Sequence, residues 1–275
     1  MISRHIEMEP LKINAWRKIA IGTWRTAKDP SVYSSIELDP RAALAYIDKI
    51  KQETGMKITI THFIGRALAE VMARHPDLNC ILRWGRLYRR KSVDIFFQVN
   101  SGGGEDLSGM TVKEANLKSI AEIARLMQEK VKVIREKGDP DFKQMKGLFG
   151  LVPGMFVATL LNLSSLIMYT FNLWTPLLGV PRDPFGSLML TSVGSLGLSS
   201  GFAPLVAYSR VPIVVALGVI KDTPVVRNGQ VVAAPMLPMC VTFDHRLIDG
   251  AHGGKMMKTL NSIMENPEQE LGRGY

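Results

Sequence analysis

Val241-Thr242-Phe243-Asp244-His245-Arg246-Leu247-Ile248-Asp249-Gly250-Ala251-His252-Gly253-Gly254 is the stretch that decides how this 275-residue chain is read. A β-prone approach from Pro238 runs into a cluster of ionisable side chains, and the cluster ends in glycine just ahead of a helix-periodic segment at 251–264. Chemistry is commonly placed at such a strand end. His245 has an ordinary pKa near neutrality, so it can take up and release a proton at working pH. Asp249 follows four residues later, and Gly250 lets the backbone turn without a Cβ penalty. The same residues also fit a purely structural turn, in which His245 caps the strand and Asp249 is the N-cap of the next helix.

Asp244-His245-Arg246-Leu247-Ile248-Asp249-Gly250 resembles the Asp-His-Arg-x-x-Asp-Gly signature of the acyltransferase component of 2-oxoacid dehydrogenase complexes. That family shares its fold and its His-x-x-x-Asp-Gly core with chloramphenicol acetyltransferase. A second stretch, Leu190-Thr191-Ser192-Val193-Gly194, falls into register with the family's Phe-Thr-Ile-Ser-Asn-Leu-Gly. Trp16-Arg17-Lys18 and Val93-Asp94-Ile95 extend the resemblance over roughly residues 10 to 265. It implies a chloramphenicol-acetyltransferase-like α/β two-layer sandwich, a mixed sheet with helices on one face. It also implies one catalytic domain over 1–275, standing without a lipoyl domain.

The roles implied by the resemblance are specific. His245 is the general base for a thiol, and Thr191 stands where the family has its oxyanion-stabilising serine, with Ser192 as the fallback donor. Asp249 holds the loop by pairing with Arg17, while Asp244 and Arg246 give local support. The implied assembly is a homotrimer, with trimers able to build a larger cage, and the active site lies between subunits. Coenzyme A enters from one side, and dihydrolipoamide, carried by a separate lipoyl-bearing protein, enters from the other. The family's Pro-Arg-Gly-Leu-Ile-Thr-Pro-type segment beside the coenzyme A channel is missing here. Ser101-Gly102-Gly103-Gly104-Glu105-Asp106 stands in its place, and the two acids oppose a phosphate-loop reading. His252 has no counterpart and is expected to face solvent or the core.

Hydrophobic residues make up 46% and charged residues 21% of the chain, which points to a globular protein rather than a disordered one. A formal charge of +9 favours anionic partners, such as coenzyme phosphates or an anionic membrane surface. The basic residues are scattered without aromatic interleaving, which argues against nucleic acid. Cys80 and Cys240 form no disulfide framework, and no spacing calls for a metal. With no apolar core of a signal peptide near the start, the expected compartment is cytoplasmic, with peripheral membrane contact left open.

Periodicity predicts helices over 10–28, 40–54 with Asp39 as N-cap, 61–75 and 119–136, and a hairpin over 81–88. Strands are expected at 32–38, 93–99, 186–191, 211–220 and 230–234, with a turn at 227–229 and the β-prone approach at 238–243. Residues 147–181 contain no charged side chain, enough for a transmembrane segment by length. A single span would put the His245 motif across the membrane from the first half of its own sheet, so two short helices are expected instead. This insertion, longer and more apolar than the family's connection, suits a buried or subunit interface, a monotopic membrane contact, or a lid over an acyl pocket. Two other functions compete with acyl transfer to a thiol. One is a catalytically inactive scaffold, and the other an acyltransferase acting on a small alcohol or amine.

Overall fold

A computed structural model of the chain describes residues 3–15, 18, 29–100, 107–137, 152–176 and 180–275. Most of the helix expected over 10–28, and all of 101–106, lie outside the described residues. The strands are β1 (Ser3–Arg4), β2 (Met8–Pro10), β3 (Ser31–Leu38), β4 (Cys80–Arg83), β5 (Arg86–Arg90), β6 (Ile95–Asn100), β7 (Leu107–Val112), β8 (Leu173–Trp174), β9 (Leu188–Ser192), β10 (Ile213–Leu217), β11 (Lys221–Arg227) and β12 (Gln230–Asp244). The helices are α1 (Arg41–Thr54), α2 (Ile60–Arg74), α3 (Ile120–Lys137), α4 (Gly154–Ser165), α5 (Gly250–Glu265) and α6 (Pro267–Leu271).

The main sheet runs β11-β12-β10-β9-β6-β7, and β3 joins it along the C-terminal half of β12. It is mixed, because β9 lies parallel to both β10 and β6 while the other pairs are antiparallel. All five residues of β10 are buried, as an unbroken apolar run covered on both faces must be. Alternation then sorts the two sides. Ile213, Val215 and Leu217 join Leu188, Leu190 and Phe63 in the core beneath the helices. Val214, Met189 and Phe96 face the other way, under Phe185, Leu205 and Val206. Helix α2 comes very close to the sheet at Gly65, where a Cβ would sit 2.3 Å from the Phe97 ring. These layers are the expected two-layer α/β sandwich.

Three sequence expectations need correction. Helix α1 begins at Arg41 with Pro40 in the N-cap position, one residue later than expected, because the Asp39 carboxylate turns back to accept from the Arg41 N–H at 3.2 Å and from its guanidinium. Lys221–Arg227 is a strand, β11, where only a following turn was expected. Its Pro224 is tolerated because β11 is the sheet's edge. The insertion is not two short helices among its described residues. It is α4, a π-helical turn at Leu166–Thr170, and β8, which pairs antiparallel with β1.

The π turn closes its hydrogen bonds over one residue more than an α-helix does, and it carries Met168 and Tyr169 inward onto Ile6 and Ile81. Asn172 then fastens the insertion to the N-terminal strand. Its Nδ2 donates to the Ile6 carbonyl at 2.8 Å, its Oδ1 accepts from the Ile6 N–H at 2.6 Å, and its carbonyl accepts from the His5 N–H at 3.1 Å. Between β4 and β5, Trp84 and Gly85 have φ of 52° and 70°, the signs of a type I′ hairpin turn. A non-glycine residue held there costs about 1–2 kcal/mol.

His62, in the first turn of α2, is buried, and its Nδ1 accepts from the Thr59 N–H at 3.1 Å. Burial lowers its pKa from 6.5 to about 4, and His5 is lowered to about 3 by burial and then by Arg90, Lys113 and Arg182. Between those values and 6.5 the unfolded chain binds protons that the folded chain does not. Stability from both groups is therefore present above pH 6.5 and lost as pH falls through that window. His62→Gln keeps the Thr-x-x-Gln form of a capping box and removes one titrating group. In urea unfolding followed from pH 7 to pH 4, the variant is expected to lose less stability than the wild type, with the His5 share remaining.

Candidate active site

Strand β12 ends at Asp244, and hydrogen bonds hold the backbone there from both sides. The Asp244 N–H donates to the Pro212 carbonyl at 2.9 Å, and the His245 N–H to the Pro30 carbonyl at 3.0 Å. The chain then coils tightly, the N–H groups of Leu247 and Ile248 both donating to the Asp244 carbonyl at 3.0 Å. Leu247 and Ile248 are buried and anchor the coil. His245 thus sits half-buried on a fixed backbone just past the end of an inner strand.

Asp244 and Arg246 form a fork of their own. The Arg246 Nε and Nη2 donate to Oδ1 and Oδ2 of Asp244 at 3.0 and 2.7 Å, and the Arg246 N–H donates to Oδ1 at 2.9 Å. Asp249 is the N-cap of α5, its Oδ1 accepting from the His252 N–H at 3.0 Å. The His252 Nδ1 lies 2.7 Å from that same oxygen. His252, expected in solvent or the core, is therefore part of the cap, and its position three residues after Asp249 was the signal, with histidine in the place usually taken by Glu or Gln. Arg17 lies outside the described residues, so its pairing with Asp249 is not described.

Thr191 and Ser192 close β9, half-buried, and the Ser195 hydroxyl donates to the Ser192 carbonyl at 2.6 Å as the following turn begins. Because side chains alternate along a strand, Thr191 shares the face of Met189, away from the helices, and Ser192 turns the other way. The two hydroxyls are not interchangeable donors. Gly194 allows the turn to press onto Gly218, where a Cβ would meet the carbonyl carbon at 2.6 Å.

The sheet register separates the two candidate catalytic groups. Thr191 and Cys240 both lie opposite Ala216, on its two sides, whereas Phe243 lies opposite Ile213 at the other end of β10. His245 is five residues beyond Cys240, about 16 Å along the strand at 3.2–3.4 Å per residue, and two strand spacings across. Within one chain the structure does not bring His245 and Thr191 together.

Two cavities flank the His245 loop. One, of about 380 Å³, lies between sheet and helices and is walled by apolar residues including Ile36, Val241, Phe243, Ile248 and Met257, with Gly253 at its edge. The other, of about 240 Å³, is on the opposite face beside Asp244, Arg246 and Arg210. The Arg210 Nε donates to the Ser165 hydroxyl at 3.0 Å, which ties the end of α4 to this wall. Burial, then the nearby Arg246, lowers the Arg210 pKa. Arg210 drew no attention in the sequence, since nothing local marks it.

The family described as 2-oxoacid dehydrogenases acyltransferase (catalytic domain) matches residues 7–148 and 185–271. The chain belongs to this family of acyltransferase catalytic domains. The unmatched gap, 149–184, coincides closely with the apolar insertion. The chain is similar to the dihydrolipoyllysine-residue acetyltransferase component of the pyruvate dehydrogenase complex of Staphylococcus aureus, at 26% identity over 273 residues, covering 98% of this chain and 53% of that protein. It therefore spans about half the length of the curated relatives it matches. Among solved structures, it resembles the dihydrolipoamide acetyltransferase of Azotobacter vinelandii with a TM-score of 0.65, at 19% identity and with 96% and 94% of the two chains covered. Chloramphenicol acetyltransferase matches with a TM-score of 0.55, at 12% identity and with 94% and 100% covered. These likenesses establish the acyltransferase fold.

The cap on α5 gives a direct test of what Asp249 contributes. Asp249→Ala removes the acceptor and is expected to lower stability by about 1 kcal/mol. Asp249→Asn keeps an acceptor at the cap, so its urea midpoint should stay near that of the wild type.

Proposed function

We propose that this acyltransferase domain moves an acyl group between coenzyme A and a thiol such as dihydrolipoamide, in a trimer whose active sites lie between subunits. The observation that carries the reading is the placement of His245 and Thr191 at opposite ends of one sheet. A site that uses both must take His245 from one chain and Thr191 from another, and a closed ring of three copies repeats that contact three times. The lipoyl group comes from a separate protein or domain that bears it.

Chemistry follows from the groups. A thiol is a poor nucleophile until deprotonated. His245 takes its proton, the sulfur attacks the thioester carbonyl, and a tetrahedral intermediate forms with negative charge on oxygen. The Thr191 hydroxyl donates to that oxygen. Collapse expels the other thiolate, to which His245 returns the proton. Asp244 and Arg246 hold the backbone from which His245 projects, and Asp249 starts α5 behind it. The Azotobacter vinelandii enzyme was investigated through a serine, a histidine and an asparagine, the last two four positions apart. His245 and Asp249 have that spacing, and asparagine caps a helix as aspartate does. The apolar cavity beside Phe243 and Ile248 supports an apolar acyl group as the cargo.

Acyl exchange from short acyl-coenzyme A donors to dihydrolipoamide tests the proposal. His245→Ala is expected to slow turnover about a hundredfold or more. Thr191→Val, which removes only the hydroxyl, should lower kcat about a hundredfold with little change in KM. Ser192→Ala should have little effect. Equal inactivity of wild type and His245→Ala, with no coenzyme A binding, would contradict the proposal and favour the scaffold.

A further inference from the structure

We infer that the insertion and the Arg83–Arg86 turn together form a docking face for an anionic phospholipid surface. Helix α4 and the first residue of the π turn expose one stripe, Met155, Phe156, Thr159, Asn162, Leu163 and Leu166, in which four of six side chains are large and apolar. Met155 is 79% exposed and Phe156 50%. The Phe171 N–H donates to the Leu166 carbonyl at 2.9 Å, and the exposed Phe171 ring packs edge-to-face on Trp84, centroids 5.5 Å apart. Trp84, 61% exposed, is therefore joined to the insertion across the fold rather than standing alone. It sits in a left-handed conformation that glycine or asparagine would adopt at lower cost, and such strain points to a use for the side chain.

Arginines flank this apolar ridge. Arg83 and Arg86 bracket the Trp84 turn, Arg4 lies opposite the exposed Leu173 in the β1–β8 pair, and the Arg182 guanidinium lies 5.8 Å from the Trp174 ring centre. Arg83 also donates to the Thr170 carbonyl, which binds the turn to the end of the insertion. None of these four arginines is neutralised by an ion pair among the described residues. An apolar ridge with an aromatic tip and a cationic rim matches the boundary between acyl chains and acidic headgroups. Helix α4, 12 residues or about 18 Å long, is too short to span roughly 30 Å of hydrocarbon, so it lies on the surface rather than across it. Residues 149–184 fall between the two matched family blocks, so the apolar ridge of this face lies outside the family match, whereas the Arg83–Arg86 turn lies within it.

Flotation with phosphatidylcholine vesicles, with and without phosphatidylglycerol, tests the inference on the full chain. The wild type should float with the anionic vesicles, and less so at high salt. Arg86→Gln should weaken binding about fivefold, the worth of one surface cation. Trp84→Ser and Phe156→Ser should each weaken it by roughly tenfold or more, the worth of a large apolar side chain. The variants should retain the wild type's far-UV circular dichroism and its acyl transfer between coenzyme A and free dihydrolipoamide, since none of these residues touches the proposed site. Absence of wild-type binding, or equal binding by wild type and both serine variants, would overturn the inference. So would a wild-type particle larger than that of Phe156→Ser in sedimentation, with neither binding vesicles, which would assign the face to a second copy.

Discussion

The hydrogen-bond ladder along β12 is the constraint on which the rest depends. Its 15 residues pair with β11 over the first part, then with β3 on one side and β10 on the other. Such a strand cannot slip by one residue without turning Met239, Val241 and Phe243 out of the core they share with the helices. Its end is therefore fixed, and with it the position of His245. The same ladder, continued through β10 to β9, fixes Thr191 at the far end of the sheet. Geometry of the sheet, more than any contact at the motif, is what forces the proposed chemistry to be shared between copies.

Local support around His245 is built from inexpensive parts. Two backbone hydrogen bonds to Pro30 and Pro212, a short-range Asp244–Arg246 fork and a capped helix leave few ways for the loop to move. The fork is half-exposed at Arg246, so its Coulomb contribution is screened, and its value is to fix a conformation. An ion pair buried on both sides lies elsewhere. Arg90 and Asp183 pair in the interior beneath the insertion, where their charges compensate each other and hold β5 to the segment before β9.

Much of this was legible in the sequence because local signals and tertiary packing agree. The 211–220 run reads as a strand and is one over its central residues, Ile213–Leu217, and 119–136 reads as an amphipathic helix and is one, running Ile120–Lys137. The hairpin at 81–88 was visible, although the unusual tryptophan in its turn was not predicted to be strained. What was hidden depended on distant partners. Lys221–Arg227 has the polar, proline-containing composition of a loop and becomes a strand only because β12 offers it an edge. Residues 166–173 are uncharged and mostly apolar, so little in the local sequence says where the helix must end. Asn172 decides it by its bonds to Ile6. At the site, His245, Asp249 and Thr191 were marked by motif, whereas Arg210 is brought to the loop by the chain returning from 203–206, and His252 acquires its role only once Asp249 caps the helix.

The central claim is that each active site draws His245 and Thr191 from different chains. The most direct test mixes inactive His245→Ala protein with inactive Thr191→Val protein under conditions that allow subunits to exchange, and measures acyl transfer to dihydrolipoamide. Random mixing in equal amounts gives about one quarter of the interfaces an intact His245 facing an intact Thr191 of the partner subunit, so activity should return to about a quarter of the wild-type level. Mixed assemblies that form but stay as inactive as either parent would contradict the account, because they would place both groups in a single chain.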